Sequence, residues 1–323
     1  MRILVTGSNG LLGQKLTRLL QEDENVYLIA TARGKSALRI SRGEYHSLDI
    51  SNRENVESVI RFTKPDVIIN TAAMTQVDDC ETQREACWKA NVTAVEHLVR
   101  CCHALHIHLV HVSTDFIFDG SHGPLDENEV PNPVNYYGES KLAAEKVIRN
   151  SSISWAILRT VLVFGITSDM SRSNIVLWVK KSLEQKKAIQ VVNDQWRTPT
   201  LAEDLAQGCY LAARKRARGI YNISGKDFMS PYDIAIKTAE FFKLDKSLIT
   251  ATDSTKFVQP ARRPPTTGFI IDKARRELGY EPRAFEEGLA ILAGQHVVRD
   301  HHVEGLRPQA GQAFFRGSGD DWH

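Results

Sequence analysis

Cysteine is scarce in this chain: five residues among 323, an odd number, with no spacing that suits a metal site or a disulfide framework. They read as reduced thiols of a cytoplasmic protein, and Cys101-Cys102 as packing on a helix. No apolar run reaches the ~20 residues of a membrane-crossing helix. Met1 leads directly into an apolar strand, so no signal peptide and no membrane partner are expected. The formal net charge is only +2. Without a long Lys/Arg stripe, nucleic-acid binding is excluded; Arg214-Lys215-Arg216-Ala217-Arg218 reads as a solvated helix end before Gly219. Internal repeats and low-complexity linkers are also missing. With 42% hydrophobic and 25% charged residues, the chain can bury a large core, and its length suggests two domains.

The apolar, partly β-branched run Arg2-Ile3-Leu4-Val5-Thr6 passes into Gly7-Ser8-Asn9-Gly10-Leu11-Leu12-Gly13 and then into the helical spacing of Leu16, Leu19 and Leu20. Strand, glycine turn and helix in that order suit a dinucleotide. Gly7 can take φ values closed to other residues, Gly10 opens the backbone to a pyrophosphate, Gly13 permits close helix packing, and the first helical N–H groups face the anion. The spacing is G-x-x-G-x-x-G.

In Tyr136-Tyr137-Gly138-Glu139-Ser140-Lys141, Tyr137 and Lys141 stand one helical turn apart and share a face. An ammonium beside a phenol favours phenolate, so the expectation is a Tyr137 hydroxyl with a lowered pKa, able to transfer a proton near neutral pH.

Strand patterns recur at Val26 to Thr31, Glu44 to Leu48, Asp66 to Asn70, Leu109 to Ser113 and Trp155 to Phe164, with helical segments between them. Further strands are expected at Ala188 to Val192 and Gly219 to Ser224. The helix Val92 to Ala104 carries an apolar stripe. The fold class is therefore α/β, a doubly wound parallel sheet with a smaller C-terminal substrate lobe. Residues 1–165, completed by about 188–224, form the dinucleotide-binding domain, and residues 166–187 with 225–294 form the lobe. Residues 295–323 are expected to be an unstructured tail. His296, His301 and His302 lie there, and no metal site is assigned to them. Ligands should bind outside the carboxyl ends of the strands.

The glycine turn, Asn70-Thr71-Ala72-Ala73, Ser113-Thr114-Asp115-Phe116-Ile117-Phe118-Asp119-Gly120 and Tyr137-x-x-x-Lys141 follow one another as in the extended short-chain dehydrogenase/reductases. Within that superfamily the chain most resembles the dTDP-4-dehydrorhamnose reductases, from Met1 to about Ala293. Thr75, Val77-Asp78, Asn193-Asp194-Gln195 and Pro199-Thr200 carry the finer likeness. The resemblance implies reduction of a nucleotide-linked 4-keto-6-deoxysugar, most simply dTDP-4-dehydro-L-rhamnose. Tyr137 would give the proton, Lys141 would bind the nicotinamide ribose, and Thr114 would hydrogen-bond the carbonyl oxygen. Ser113 is adjacent, but side chains alternate along a strand and only one hydroxyl should reach the cleft.

For the cofactor, the resemblance implies contacts from Gly7, Gly10, Leu11, Leu12, Gly13, Ala72, Ala73 and Thr75. Asp49-Ile50 is the expected adenine contact, with a helix cap as the alternative for Asp49. Asn91 is either the superfamily's water-holding residue near the lysine or an N-cap. After the second strand, Thr31-Ala32-Arg33-Gly34-Lys35 offers cations and no carboxylate, so Arg33 favours NADPH, with NADH tolerated; otherwise the segment is a basic surface loop. A homodimer is compatible with these features.

Phe116 stands where related dehydratases carry Glu, which favours plain carbonyl reduction. Asp115 either binds a sugar hydroxyl or caps a turn. Leu162 stands where these reductases often have Trp, which leaves another keto-deoxysugar open. Arg197 either reaches a diphosphate or covers the surface. The alternative from another class is a non-catalytic NADP-binding subunit like the regulatory subunit of methionine adenosyltransferase.

Overall fold

The computed structural model describes residues 1–168, 174–257 and 259–303. Its strands are β1 (Arg2–Thr6), β2 (Tyr27–Ala32), β3 (Glu44–Ser47), β4 (Val67–Asn70), β5 (His108–Thr114), β6 (Trp155–Thr160), β7 (Val163–Phe164), β8 (Ile189–Val192), β9 (Thr200–Leu201), β10 (Gly219–Asn222) and β11 (Ile249–Thr252). The helices used below are α1 (Leu11–Glu22), α2 (Arg53–Thr63), α3 (Val77–Thr82), α4 (Arg84–Trp88), α5 (Ala94–Leu105), α6 (Tyr136–Arg149), α7 (Ile175–Glu184), α8 (Ala202–Arg214), α9 (Pro231–Phe241), α10 (Asp272–Leu278) and α11 (Phe285–Val303).

Seven parallel strands form the main sheet in the order β10-β6-β5-β4-β1-β2-β3. Chain order reverses between β1 and β4, so the crevice of a doubly wound sheet opens at their carboxyl ends. Because helices cover both faces, the inner strands carry continuous apolar runs, such as Ile3-Leu4-Val5 of β1 and Val67-Ile68-Ile69 of β4. Ile3 and Val5 pack with Leu16 and Leu20 of α1 and Leu205 and Cys209 of α8. Leu4 faces the other way, among Val56 and Ile60 of α2, Val95 and Leu98 of α5, and Ile148 of α6. Each such side chain, fully buried, contributes about 1.5–3 kcal/mol before the entropy of ordering it is set against that gain.

A separate apolar cluster joins Val176 and Val179 of α7, Ile189 and Val191 of β8, Ile234 of α9 and Leu289 of α11. Of the two later strands expected, β10 joins the main sheet. The other, β8, pairs with β11 in a two-stranded sheet and builds this second cluster instead.

Three boundaries differ from the sequence pattern. The run Trp155 to Phe164 breaks after Thr160, because Leu162 takes a positive φ of 35°, and β7 then pairs with β9. The helix expected from Val92 begins as a π turn, Lys89–Thr93, before α5. Residues 295–303 continue α11 rather than opening an irregular tail. The rest of that tail, 304–323, and residues 169–173 of the expected lobe segment lie outside the described residues. Among the described residues, no helix is long and apolar enough to cross a membrane.

Candidate active site

The glycine turn closes tightly at the end of β1. Gly7 has φ 68°, and the Gly10 N–H donates to its carbonyl at 2.9 Å. A Cβ on Gly13 would stand 2.2 Å from that same oxygen, so no larger residue fits where α1 leaves the turn. Gly10 is the N-cap of α1 and provides no side-chain cap, so the N–H groups of Leu11, Leu12 and Gly13 are not capped by it. Such a helix start favours an anion. Asn9 binds the chain after β2, donating to the Lys35 carbonyl at 2.8 Å and accepting from the Ala37 N–H at 2.9 Å. This brings exposed Arg33 beside the turn.

Asp49 accepts from the Ser51 hydroxyl at 2.7 Å and the Ser51 N–H at 2.9 Å. Burial opposes its charge, but the Ser51 bonds and nearby Arg33 and Lys89 leave the carboxyl below its ordinary value. The cap of α2 is Asn52, which accepts from the Asn55 N–H, so Asp49 does not cap that helix. Ile50 accepts from His97 through its carbonyl. At the end of β4, a Cβ on Gly7 would lie 3.0 Å from the Ala72 backbone, which brings the Ala72-Ala73 segment against the turn; Thr75 is exposed.

Thr114 ends β5, and α6 presents Tyr137 and Lys141 to it. Asn135 caps α6 by accepting from the Gly138 N–H at 2.8 Å. The Thr114 hydroxyl donates to Asp115 at 3.1 Å and lies beside the Tyr137 phenol, while Phe116 packs edge-on against the same ring at 5.8 Å. Ser113 faces away, and its buried hydroxyl has no partner. Alternation along β5 thus separates the two hydroxyls as strand geometry requires.

The electrostatics reverse the expectation for Tyr137. Burial pushes its phenol above the ordinary value, and the neighbouring Thr114 hydroxyl offsets this only in part. Lys141 does not supply the lowering charge: its Nζ turns to β5 and donates to the Val112 carbonyl at 2.7 Å, with His111 Nε2 at 3.4 Å. Burial lowers the Lys141 ammonium to about 8, against the charge of Glu145.

Asn91 lies inside the π turn and caps nothing. Its amide oxygen accepts from the Met74 N–H at 2.8 Å, and its amide nitrogen donates to the Met74 carbonyl and the Ser140 hydroxyl, both at 3.0 Å. It therefore ties the loop after β4 to α6 through protein contacts. A π bulge is how a helix turns such a side chain inward.

The substrate-side expectations need correction. Arg197 is buried, donating to the carbonyls of Trp196, Pro264 and Pro265 and lying 3.7 Å from Asp115. A guanidinium so occupied does not reach a diphosphate and is not surface cover. Asp115 accepts from Thr114 and from Thr267, so its buried carboxylate fastens the 264–267 segment to the strand end rather than facing a sugar hydroxyl. Leu162 sits partly buried between the cluster that Ile3 and Val5 form with α1 and α8 and the separate cluster of α7, β8, α9 and α11. Asp78 clamps the Arg263 guanidinium with both oxygens, at 2.6 and 2.7 Å, and Asn135 donates to the Arg262 carbonyl at 2.7 Å. Sequence reading missed Arg263, Thr267 and His111. Arg262-Arg263-Pro264-Pro265 was a visible signal for the first two.

A family model described as RmlD substrate binding domain matches residues 1–297. The chain is 30% identical to the probable low-salt glycan biosynthesis reductase Agl14 of Haloferax volcanii over 305 residues, covering 90% of this chain and 97% of that protein. It is 30% identical to methionine adenosyltransferase 2 subunit beta of Rattus norvegicus over 269 residues, covering 81% and 78%. Against the dTDP-4-dehydrorhamnose reductase of Aggregatibacter actinomycetemcomitans it is 29% identical over 300 residues, covering 89% and 97%. Among solved structures, a dTDP-4-dehydrorhamnose reductase from Clostridium acetobutylicum superimposes with a TM-score of 0.82 at 28% identity, covering 92% of this chain and all of that one. One from Bacillus anthracis in complex with NADP gives 0.78 at 25% identity, covering 91% and 99%.

Proposed function

We propose, from the premise that the chain belongs to the RmlD substrate binding domain family, that it is an NADPH-dependent reductase of a nucleotide-linked 4-keto-6-deoxysugar. The substrate we assign is dTDP-4-dehydro-L-rhamnose, reduced to dTDP-L-rhamnose. The observation that carries this reading is the Thr114 hydroxyl set beside the Tyr137 phenol at the carboxyl end of β5, with Lys141 one turn along α6.

The residues fit NADPH. The turn has no Cβ where a pyrophosphate would approach, α1 starts uncapped by a side chain, and Arg33 supplies a cation in a segment, residues 31–35, that holds no carboxylate. Gly7, Gly10, Leu11, Leu12 and Gly13 would hold the diphosphate, Asp49 and Ile50 the adenine, Ala72, Ala73 and Thr75 the central part, and Lys141 the nicotinamide ribose. When bound, the cofactor supplies the hydride.

The protein's own part is proton delivery and oxyanion support. A phenol whose pKa burial has raised is fully protonated at neutral pH, which is the form a reduction needs. Thr114 orients that hydroxyl and stabilises negative charge developing on the substrate oxygen. Phe116 has no proton to give, so the site reduces without eliminating water. Residues 166–187 and 225–294 supply the sugar-facing lobe in this reading.

Oxidation of NADPH by the purified protein, with and without dTDP-4-dehydrorhamnose, tests the assignment. Turnover dependent on the sugar is expected. A second reading draws on the likeness to methionine adenosyltransferase 2 subunit beta. Tight NADPH binding with no turnover of any nucleotide keto-sugar would favour that non-catalytic role.

A further inference from the structure

A buried line of polar side chains crosses three strands and ends on Lys141. The Thr6 hydroxyl of β1 donates to Asn70 Oδ1 at 2.6 Å, Asn70 Nδ2 lies 3.0 Å from His111 Nδ1, and His111 Nε2 lies 3.4 Å from Lys141 Nζ. All four residues are at most 3% exposed.

The direction of each bond follows from the first. Thr6 Oγ1 already accepts from the Thr71 and Ala72 N–H groups at 3.2 and 3.3 Å, so its single proton goes to Asn70 Oδ1. That orients the Asn70 amide with its NH₂ toward His111, and His111 Nδ1 must accept. A neutral imidazole that accepts at Nδ1 carries its proton on Nε2.

We propose that Thr6 and Asn70 hold His111 as its Nε2–H tautomer, making His111 a positioning residue that presents a donor, rather than an acceptor, to the amine of Lys141. An ammonium there would set two donors against each other, whereas a neutral amine accepts from Nε2–H and still donates to Val112. The opposite polarity needs Asn70 to flip. Thr6 Oγ1 would then meet three N–H donors while its own buried proton lost its acceptor.

The other titratable groups facing Lys141 are Glu145 on its own helix, bonded to Arg159 of β6, and Cys80 and Cys87 from α3 and α4. Glu145 favours the ammonium, and burial with the His111 donor opposes it. Burial and the Lys141 charge keep His111 itself uncharged.

The tautomer is read from ¹⁵N–¹H correlation spectra of the full-length protein labelled in histidine, with His111 assigned by its loss in His111→Gln. This arm is independent of turnover, so it stands or falls separately from the reductase reading on which the kinetic arm rests. Wild type is expected to show Nε2–H, Thr6→Val to shift His111 toward Nδ1–H, and Thr6→Ser to restore the wild-type signal. In the kinetic arm, the basic limb of kcat/KM against pH is expected to move up by about one unit in Thr6→Val and His111→Gln, and no further in the double variant. A wild-type Nδ1–H or charged signal at His111 overturns the proposal even if neither Thr6 variant folds. So does a Thr6→Val protein with an unchanged tautomer.

Discussion

Gly138 of α6 lies directly beneath the Phe116 carbonyl: a Cβ there would stand 2.1 Å from its oxygen. The contact lets the helix bearing Tyr137 and Lys141 close onto the turn that follows Thr114. Backbone meets backbone at this point, so an added methyl cannot be absorbed by a rotamer change.

Gly138→Ala is therefore expected to push α6 away from β5. Overpacking of this kind costs about 1–3 kcal/mol, and a shift of about 1 Å between reacting groups costs on the order of 10² in rate. Urea unfolding and turnover measured on the same preparation check both figures. A fully active, equally stable variant would mean the contact does not set the site.

Tyr137→Phe keeps the edge-on packing against Phe116 and removes only the acid. A loss of about 10²–10⁴ in kcat is expected, with NADPH affinity near wild type. Wild-type turnover would take Tyr137 out of the mechanism, whereas Lys141→Ala is expected to impair cofactor binding as well as rate.

Arg33→Ala tests the cofactor assignment. Arg33 is exposed, so its contact with a 2′-phosphate is expected at the lower end of the charge-assisted range, about tenfold in affinity. Titration should show NADPH weakened and NADH nearly unchanged. Equal losses for both would show that Arg33 does not read the phosphate.

Stability should fall in mild acid. Burial lowers the His108 imidazole from 6.5 to about 4, with the charges of Arg216 and Arg218 adding to the effect. The unfolded chain then takes up this proton first, so the contribution is complete above pH 6.5 and is lost as pH falls from 6.5 toward 4. The full span is about 3 kcal/mol. His111 is lowered in the same direction, so His108→Gln is expected to flatten the slope of unfolding free energy against pH without abolishing it. An unchanged slope in His108→Gln would show that His108 is not its source.

Local chemistry in the sequence determined the parts that depend on short spacing. Alternation of apolar strands with amphipathic helices is enough to require a covered parallel sheet, and glycines at 7 and 13 mark a turn no larger residue could make so close to backbone. The one-turn separation of Tyr137 and Lys141 put both on one helix face, and alternation along β5 separated Ser113 from Thr114. The tertiary structure alone decided what each charge touches. Arg197 and Asp115 read as ligands for substrate because nothing local revealed that the segment around Pro264 and Thr267 folds back over them. The pKa direction of Tyr137 follows from burial, a property of the whole packed interior rather than of a neighbour four residues away. His111 looked like any strand residue, since its partners Thr6, Asn70 and Lys141 come from other elements and meet only when the sheet and α6 assemble.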